Sequence, residues 1–205
     1  MKDLRVVAFD CDGVIFDTAQ SNRAYYNHIL DHFGKPLLTA EQFAYVHMHT
    51  LDQSLAYLFN DDSSLVQAHA YRKTMNYVEF LKYMKLEPEL VPLLQKMRPR
   101  FKAAIATNRT DTMNWLLEEF GLDGYFDIVV TSSDVKFPKP QPDPLLKIME
   151  YFQIKPWQAI YVGDSQVDQL AAKSAGIPLV AYRNPDLNSD YHIQSLKELE
   201  GILEL

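Results

Sequence analysis

The stretch Leu4–Gly13 constrains the fold of this chain more than any other part of its sequence. Its first part, up to Phe9, is a short apolar run, typical of a buried parallel strand. Asp10 and Asp12 stand at the carboxyl end of this strand, the edge where open α/β sheets bind ligands. Two nearby carboxylates repel each other, so they suit an oxygen-bound cation such as Mg²⁺. The same residues also fit a polar turn that ends the strand, and this stretch alone leaves both interpretations open.

Composition narrows the classes of protein and of partner. The chain has 205 residues, a formal net charge of −7 and a single cysteine, Cys11. The negative charge argues against nucleic acid and anionic membranes as partners, and no apolar run reaches the length of a membrane span. One cysteine excludes an internal disulfide and fits a reducing compartment. We therefore expect a cytoplasmic protein, monomeric or homodimeric, with no nucleic-acid and no membrane partner.

Between the first strand and about residue 90 the sequence predicts helices and no strand. The pairs Thr39–Gln42 and Thr50–Gln53 have the spacing of capping boxes, in which a threonine and a glutamine three residues later cap a helix start reciprocally. The span 65–84 predicts one long helix, with Asp62 or Ser63 as its N-cap. This part of the chain is therefore expected to form a helical insert.

Beyond residue 90, strand-like runs alternate with helical patterns, which is the mark of a parallel sheet. The runs are 101–106, 128–130, 159–162 and 179–181. Together with the first strand they predict an α/β fold, a doubly wound parallel sheet. The predicted domains are an α/β core at 1–18 and 91–205 and a helical domain at 19–90.

The carboxyl ends of the later strands again carry polar residues: Thr107, Lys139, Asp164 and Asp168. Parallel topology brings these residues to the edge that holds Asp10 and Asp12. Prolines on both sides of Lys139 restrict its loop and hold the ammonium group in place. Four acids and one lysine at one cleft suit a cation together with a multiply charged anion, and this combination indicates phosphoryl transfer.

These four segments resemble the motifs of the haloacid dehalogenase superfamily, in particular its phosphoglycolate-phosphatase-like branch with a helical cap. Asp10-Cys11-Asp12-Gly13 resembles the first motif and Thr107-Asn108 the second. Lys139-Pro140-Gln141-Pro142 resembles the third, and Gly163-Asp164-Ser165-Gln166-Val167-Asp168 the fourth. The match covers nearly the full length, with the helical insert after the first motif. The resemblance implies a Rossmann-like core with an inserted α-helical cap.

The resemblance also implies catalytic roles. Asp10 would attack phosphorus to form an aspartyl-phosphate. Asp12 would protonate the leaving oxygen and later take a proton from the hydrolytic water. Thr107 and Asn108 would bind the phosphoryl group, and Lys139 would neutralise both that group and Asp10.

The resemblance also implies one Mg²⁺ ion, bound by residues of the first and fourth motifs. The Asp10 carboxylate, the Asp12 backbone carbonyl and Asp164 would be its ligands. Asp168 would support the metal's waters or Lys139 without binding the ion itself.

Several other residues keep more than one interpretation. Arg109 could reach the substrate or could be a solvated ion-pair partner. His47 and His49 suggest a metal site, but the sequence shows no third ligand; contact with substrate or a plain surface position are the alternatives. Lys136 could replace Lys139, although the proline pattern favours Lys139.

The function implied by the resemblance is Mg²⁺-dependent hydrolysis of a small phosphorylated metabolite, a phosphoglycolate-like ester or a sugar phosphate, through an aspartyl-phosphate. Asp12 favours phosphatase or mutase chemistry, because relatives that cleave carbon–halogen or carbon–phosphorus bonds resemble a pattern without that acid. The main alternative is a sugar phosphomutase of the same superfamily. A non-catalytic binding protein with this fold is a further alternative.

Overall fold

The computed structural model describes residues 3–59 and 63–205. Its strands are β1 (Val6–Phe9), β2 (Phe16–Asp17), β3 (Lys85–Leu86), β4 (Lys102–Ala106), β5 (Ile128–Val130), β6 (Ala159–Gly163), β7 (Leu179–Tyr182) and β8 (Tyr191–Ile193). Its α-helices are α1 (Ala19–His32), α2 (Ala40–Met48), α3 (Leu51–Leu58), α4 (Leu65–Arg72), α5 (Val78–Leu81), α6 (Leu90–Met97), α7 (Met113–Glu119), α8 (Asp143–Phe152), α9 (Gln166–Ala175) and α10 (Leu199–Leu203). In the described part of the chain, no helix is both long and apolar enough to cross a membrane.

Six strands form one parallel sheet in the order β5-β4-β1-β6-β7-β8. β1 lies inside the sheet, where Val6 pairs with Lys102 on one side and with Ala159 on the other. The predicted parallel α/β sheet is confirmed. The edge strand β8 was not predicted, because two of its three residues are exposed and its sequence carries little apolar signal.

The central strands are apolar along their whole length because both of their faces are covered. Every residue of β1 is buried, as is every residue of β6. On one face, Val6 and Ala8 belong to a core cluster that also contains Leu145 of α8 and Ala171 of α9. Parallel sheets need helices on both faces, since each crossover between strands runs over the sheet. A continuous apolar run is therefore the expected pattern for these strands.

The chain divides into two compact units. The sheet unit consists of Met1–Phe16 and Leu86–Leu205, and the helical unit is Asp17–Lys85. The chain passes between them within the short strands β2 and β3, which form a separate two-stranded sheet. The helical domain predicted at 19–90 overlaps the helical unit, and its role as a cap stays a prediction.

The helical unit has an aromatic core of its own. The ring of Tyr25 meets those of Tyr26, Tyr77 and Phe80 edge to face, with centroid distances of 5.3, 5.6 and 5.4 Å. Edge-to-face contacts of this kind stabilise a core beyond the burial of apolar area. The rich content of tyrosine and phenylalanine in this stretch therefore serves packing.

Both predicted capping boxes are present in the helical unit. The Thr39 hydroxyl accepts a hydrogen bond from the Gln42 N–H at 3.1 Å, and the Gln42 side chain accepts one from the Thr39 N–H at 3.0 Å. Thr50 and Gln53 repeat the pattern at the start of α3. The spacing of threonine and glutamine alone was sufficient to locate these two helix starts.

The single helix predicted at 65–84 is wrong. The structure has two short helices there, α4 and α5, separated by a turn. Thr74 donates its hydroxyl proton to the Tyr71 carbonyl, and the Asn76 side chain accepts from the Val78 N–H. Such local side-chain bonds compete with the helical ladder. Of the two predicted caps, Asp62 lies outside the described residues, and the N-cap position is Ser64, without a side-chain cap bond.

Candidate active site

The candidate site lies at the carboxyl edge of three adjacent strands of the sheet unit. Asp10 follows β1, Thr107 follows β4 and Asp164 follows β6, and β1 pairs with both β4 and β6. Because the strands are parallel, their carboxyl ends meet at one edge of the sheet. The topology therefore explains why residues from distant parts of the sequence come together here.

Lys139 is the centre of this arrangement. Its Nζ lies 2.7 Å from Oδ1 of Asp10, 2.7 Å from Oδ1 of Asp168 and 2.9 Å from the hydroxyl of Tyr161. The side chain is only 1% exposed, although it carries a charge. Burial alone would lower the pKa of Lys139, but the charges of Asp10 and Asp168 outweigh burial and raise it. The ammonium group therefore stays charged inside the protein.

The loop that carries Lys139 is fixed by a second bond. Asn108 donates its side-chain N–H to the Lys139 carbonyl at 3.0 Å. Lys136, the alternative lysine, is exposed and lies over the ring of Phe137. Lys139 is thus the lysine that reaches the carboxylates, and Asn108 acts on its backbone.

The Asp10 carboxylate is held through one of its two oxygens. Oδ1 accepts from the Cys11 N–H at 2.7 Å and also contacts Lys139. Among the described residues none donates to Oδ2. Burial, together with the charge of Asp168, raises the pKa of Asp10 to about 7 against the opposing effect of Lys139. This geometry leaves one oxygen of a fixed carboxylate for chemistry or for a cation.

The site contains more negative than positive charge. Carboxylate oxygens of Asp10, Asp164 and Asp168 lie within 4.8 Å of one another, with Lys139 as the ammonium group between two of them. Burial and the neighbouring charges of Asp168 and Asp10 raise the pKa of Asp164 well above its ordinary value. A cluster of hard oxygen donors with excess negative charge fits a divalent cation such as Mg²⁺. Asp10 and Asp164 are the acids suited to bind it directly.

Asp168 is fully occupied by protein partners. Its Oδ1 contacts Lys139 and Tyr161, and its Oδ2 accepts from the backbone N–H and the hydroxyl of Ser165. These bonds orient a carboxylate that is completely buried. Asp168 therefore holds Lys139 in place and is not a suitable direct ligand.

Gly13 is required by the position of Asp164. A Cβ atom added at Gly13 would lie 1.9 Å from Oδ2 of Asp164, and the φ angle of Gly13 is +85°. Both the space and the left-handed backbone exclude other residues. The turn after β1 therefore ends the strand and also leaves room for the Asp164 carboxylate in the acidic cluster.

Asp12 is paired with Arg109. The guanidinium Nε and NH2 lie 2.8 and 2.7 Å from the two Asp12 oxygens, a bidentate contact. Arg109 also donates from NH1 to the Thr112 hydroxyl at 3.2 Å. Arg109, predicted either as a substrate contact or as a solvated ion-pair partner, is thus in a largely buried ion pair, with 9% of its side chain exposed.

Thr107 is buried at the end of β4, with 1% of its surface exposed. Its backbone N–H donates to the Val130 carbonyl at 3.0 Å, which extends the strand pairing. Its hydroxyl accepts from the Arg109 N–H at 3.1 Å. The hydroxyl, and not the backbone N–H, is therefore the group of Thr107 that could contact a phosphoryl oxygen.

His47 and His49 belong to the helical unit, and the acidic cluster includes neither of them. Nδ1 of His47 lies 3.0 Å from the Asn22 side chain. Nδ1 of His49 lies 2.8 Å from the Tyr45 carbonyl, and its ring stacks on that of Tyr45. These contacts give both histidines a role inside the helical unit, and contact with substrate stays a prediction.

Sequence reasoning missed two residues of the site. Tyr161 bears the hydroxyl between Lys139 and Asp168, and Asn184 donates to the Asp164 carbonyl at 2.7 Å. A tyrosine within the otherwise aliphatic strand β6 was the available signal for the first. No sequence signal identified Asn184, which lies in the loop after β7.

Comparison with known proteins agrees with this geometry. A sequence model of the haloacid dehalogenase-like hydrolases matches residues 7–182. The pyrophosphatase PpaX of Bacillus velezensis is 31% identical, over 86% of this chain and 82% of the relative. A phosphoglycolate phosphatase of Shigella boydii is 29% identical, over 87% of this chain and 81% of the relative.

A solved structure extends the comparison to the fold. The crystal structure of a haloacid dehalogenase superfamily hydrolase, subfamily IA, from Geobacter sulfurreducens is 37% identical, with a TM-score of 0.79. The match covers 98% of this chain and 97% of that one. The chain therefore belongs to the haloacid dehalogenase-like hydrolase family.

Proposed function

We propose that this protein is a Mg²⁺-dependent phosphatase that hydrolyses a small phosphate monoester through an aspartyl-phosphate intermediate. The observation that carries the proposal is the state of Asp10. Lys139 and the Cys11 N–H fix one oxygen of this carboxylate, and none of the described residues donates to the other. A fixed carboxylate with one unengaged oxygen is suited to be a nucleophile.

In the first half of the reaction, Oδ2 of Asp10 bonds to phosphorus and the bond from phosphorus to the leaving oxygen breaks. Asp12 gives a proton to that oxygen. In the second half, water bonds to phosphorus, its proton passes to Asp12, and the bond between Asp10 and phosphorus breaks. The products are the alcohol and inorganic phosphate, and both aspartates return to their starting state.

Other residues of the site support these steps through charge and position. The Lys139 ammonium offsets the charge of Asp10, and Asp168 and Tyr161 hold it there. Thr107 offers its hydroxyl to the phosphoryl group. Preorganised charge of this kind supplies most of the catalysis in phosphoryl transfer.

Asp10, Asp164 and the Asp12 carbonyl would hold Mg²⁺. The ion would neutralise the charge of the phosphoryl group and of the acidic cluster.

The names of relatives suggest which substrates to test first. One relative is named a pyrophosphatase and another a phosphoglycolate phosphatase. We propose a small phosphorylated metabolite of this kind, a phosphoglycolate-like ester or a sugar phosphate. The helical unit, as a cap, would select among them.

Phosphate release from a panel of small esters and pyrophosphate tests the proposal, with Mg²⁺ and with EDTA. Asp10→Asn should abolish release, whereas Asp123→Asn, at an exposed aspartate of the sheet unit, should not change it. Isomerisation of glucose 1-phosphate without phosphate release would show that the protein is a sugar phosphomutase and not a phosphatase. If the protein shows neither activity with Mg²⁺ present, the remaining alternative is a non-catalytic binding protein.

A further inference from the structure

Asp164 is held through its main chain and not through its carboxylate. In the part of the chain that the structure describes, its one hydrogen bond is at the carbonyl, which accepts from the Asn184 side chain at 2.7 Å. By contrast, both carboxylate oxygens of Asp168 are engaged, and so is Oδ1 of Asp10. The place of the Asp164 carboxylate in the acidic cluster therefore depends on the Asn184 amide.

The Asn184 amide is engaged at both ends. Its nitrogen donates to the Asp164 carbonyl, and its oxygen accepts from the Asp186 N–H at 3.1 Å. The second bond closes a short turn within the loop between β7 and β8, a common use of asparagine. Because rotation of the amide would break one of the two bonds, its direction is set by the course of the main chain.

Arg183 gives the main chain this course through an unfavourable backbone conformation. Its φ angle is +52°, in the left-handed region that residues with a side chain rarely adopt. Such a conformation persists only where its surroundings hold it. The Arg183 N–H donates to the Ile193 carbonyl at 2.9 Å, and its Nε donates to the Gln194 carbonyl at 3.0 Å. The corner after β7 is thus held by β8 and the residue that follows it.

Glu87 anchors Arg183 from the other side. The two Glu87 oxygens lie 3.2 Å from NH1 and 3.4 Å from NH2 of Arg183. The Glu87 side chain is only 8% exposed, so its charge needs the guanidinium as a partner. Glu87 is itself fixed, because its N–H donates to the Ile15 carbonyl at 2.9 Å. The side chain of Arg183 therefore joins two separate parts of the sheet unit at this corner.

We propose that Asn184 is a positioning residue for Asp164 as a metal ligand, and that the left-handed corner at Arg183 directs its amide. The inference rests on the proposed Mg²⁺-dependent function. Mg²⁺ demands near-ideal octahedral geometry, whereas Ca²⁺ accepts irregular sets of oxygen ligands. Precise placement of Asp164 should therefore matter more for Mg²⁺ than for Ca²⁺. A residue that only stabilised the loop would affect both ions alike.

Titrations with Mg²⁺ and with Ca²⁺, followed by thermal melting, measure both dissociation constants without turnover. Asn184→Ala should weaken Mg²⁺ binding by about 10-fold, as is usual for groups that orient a metal ligand. Its Ca²⁺ binding should change by less than about 3-fold, which would also show that the variant is folded. Asn188→Ala, at an exposed asparagine of the same loop, should bind both ions like wild type. Unchanged Mg²⁺ binding in Asn184→Ala, or equal weakening for the two ions, would overturn the positioning role.

Two substitutions of Arg183 test the corner itself. Arg183→Ala removes the side-chain bonds but keeps the cost of the left-handed backbone, so Mg²⁺ binding should weaken by about 10-fold. Arg183→Gly also lacks those bonds, but glycine adopts this conformation freely, so Mg²⁺ binding should stay within about 3-fold of wild type. An equal loss in both variants would contradict the role of the left-handed conformation.

Phosphate release by the wild-type protein separates this inference from the proposed function. Release that depends on Mg²⁺ and on Asp10, together with unchanged Mg²⁺ binding in Asn184→Ala, would overturn the positioning role alone. Absence of Mg²⁺ binding to the wild-type protein would overturn the proposed metal site, and the positioning role with it.

Discussion

Lys139 and Tyr161 are joined inside the sheet unit by a hydrogen bond of 2.9 Å between the ammonium and the phenol oxygen. With Asp10 and Asp168 as its other partners, the ammonium group has used all three of its N–H bonds. The phenol oxygen in turn lies 2.7 Å from Asp168 and 3.0 Å from the Ala106 carbonyl. In the proposed reaction, Lys139 would therefore act on the phosphoryl group by its charge and by orienting Asp10.

Tyr161→Phe tests this orientation with the loss of one oxygen atom. The change leaves a buried ammonium with an unmade bond, which should cost about 1–3 kcal/mol in the free energy of unfolding. We expect kcat to fall by roughly 10-fold while KM changes little, since the tyrosine does not contact substrate. Urea unfolding and steady-state kinetics measure the two effects. Unchanged kcat in a destabilised variant would give Tyr161 a role in packing only.

Asp164→Asn should have opposite effects on stability and on metal binding. Without a cation, Asp164 adds negative charge to a buried cluster that already holds Asp10 and Asp168. Removing that charge should raise the free energy of unfolding in EDTA by about 1–2 kcal/mol. Wild type should gain stability on addition of Mg²⁺, and the variant should gain less. Thermal melts in EDTA and in Mg²⁺ measure this gain in stability. An equal gain in both proteins would show that Asp164 is not a ligand of the metal.

Gly13→Ala should damage the site more than the fold. Its Cβ would collide with the Asp164 carboxylate, whereas a Cβ at Gly121, with a φ of +65°, would meet nothing within 4 Å. Each substitution should cost about 1 kcal/mol for the left-handed backbone. Activity and Mg²⁺ binding should be lost in Gly13→Ala and kept in Gly121→Ala. Similar activity in the two variants would contradict the steric argument.

Asp127 should contribute to the acid sensitivity of the fold. Burial alone would raise its pKa, but hydrogen bonds from Lys102 and the Ala103 N–H, with the charge of Arg98, lower it below 3.8. A lowered pKa gives stability that is complete above the ordinary value and is lost as pH falls through the folded-state value.

The variant Asp127→Asn checks this sign. At pH 7 it should be less stable than wild type by up to about 1 kcal/mol, since solvent screens a partly exposed pair. The difference should shrink as pH falls below about 4. Urea unfolding at several pH values follows it, and a difference that is constant down to pH 3 would show that the carboxylate charge is not involved.

Much of the fold could be predicted because the relevant signals are local. The interior strands β1, β6 and β7 are buried along their whole length, and the two capping boxes depend on residues three positions apart. Chain order and parallel topology then bring Asp10, Lys139 and Asp164 to one edge. The break between α4 and α5 was missed because the competing bonds of Thr74 and Asn76 weigh little against helical periodicity.

The finer structure of the site could not be predicted, since it depends on geometry between distant residues. Asp12 and Arg109 are far apart in sequence, and either could have had another partner. Asp168 is identified as a support for Lys139 only when both of its oxygens are seen to be engaged. Residue types indicate the chemistry of a site, but the division of work among its residues requires coordinates.

The place of β1 in the sheet has a consequence for folding during synthesis on the ribosome. Val6 emerges before the helical unit, but its pairing partners, Lys102 and Ala159, emerge only after that unit. The helical unit, whose core is built from neighbouring helices, has all of its residues available sooner. An apolar first strand without partners is open to aggregation during this interval. Slow translation should therefore increase aggregation of the nascent chain most if it occurs before β6 is complete.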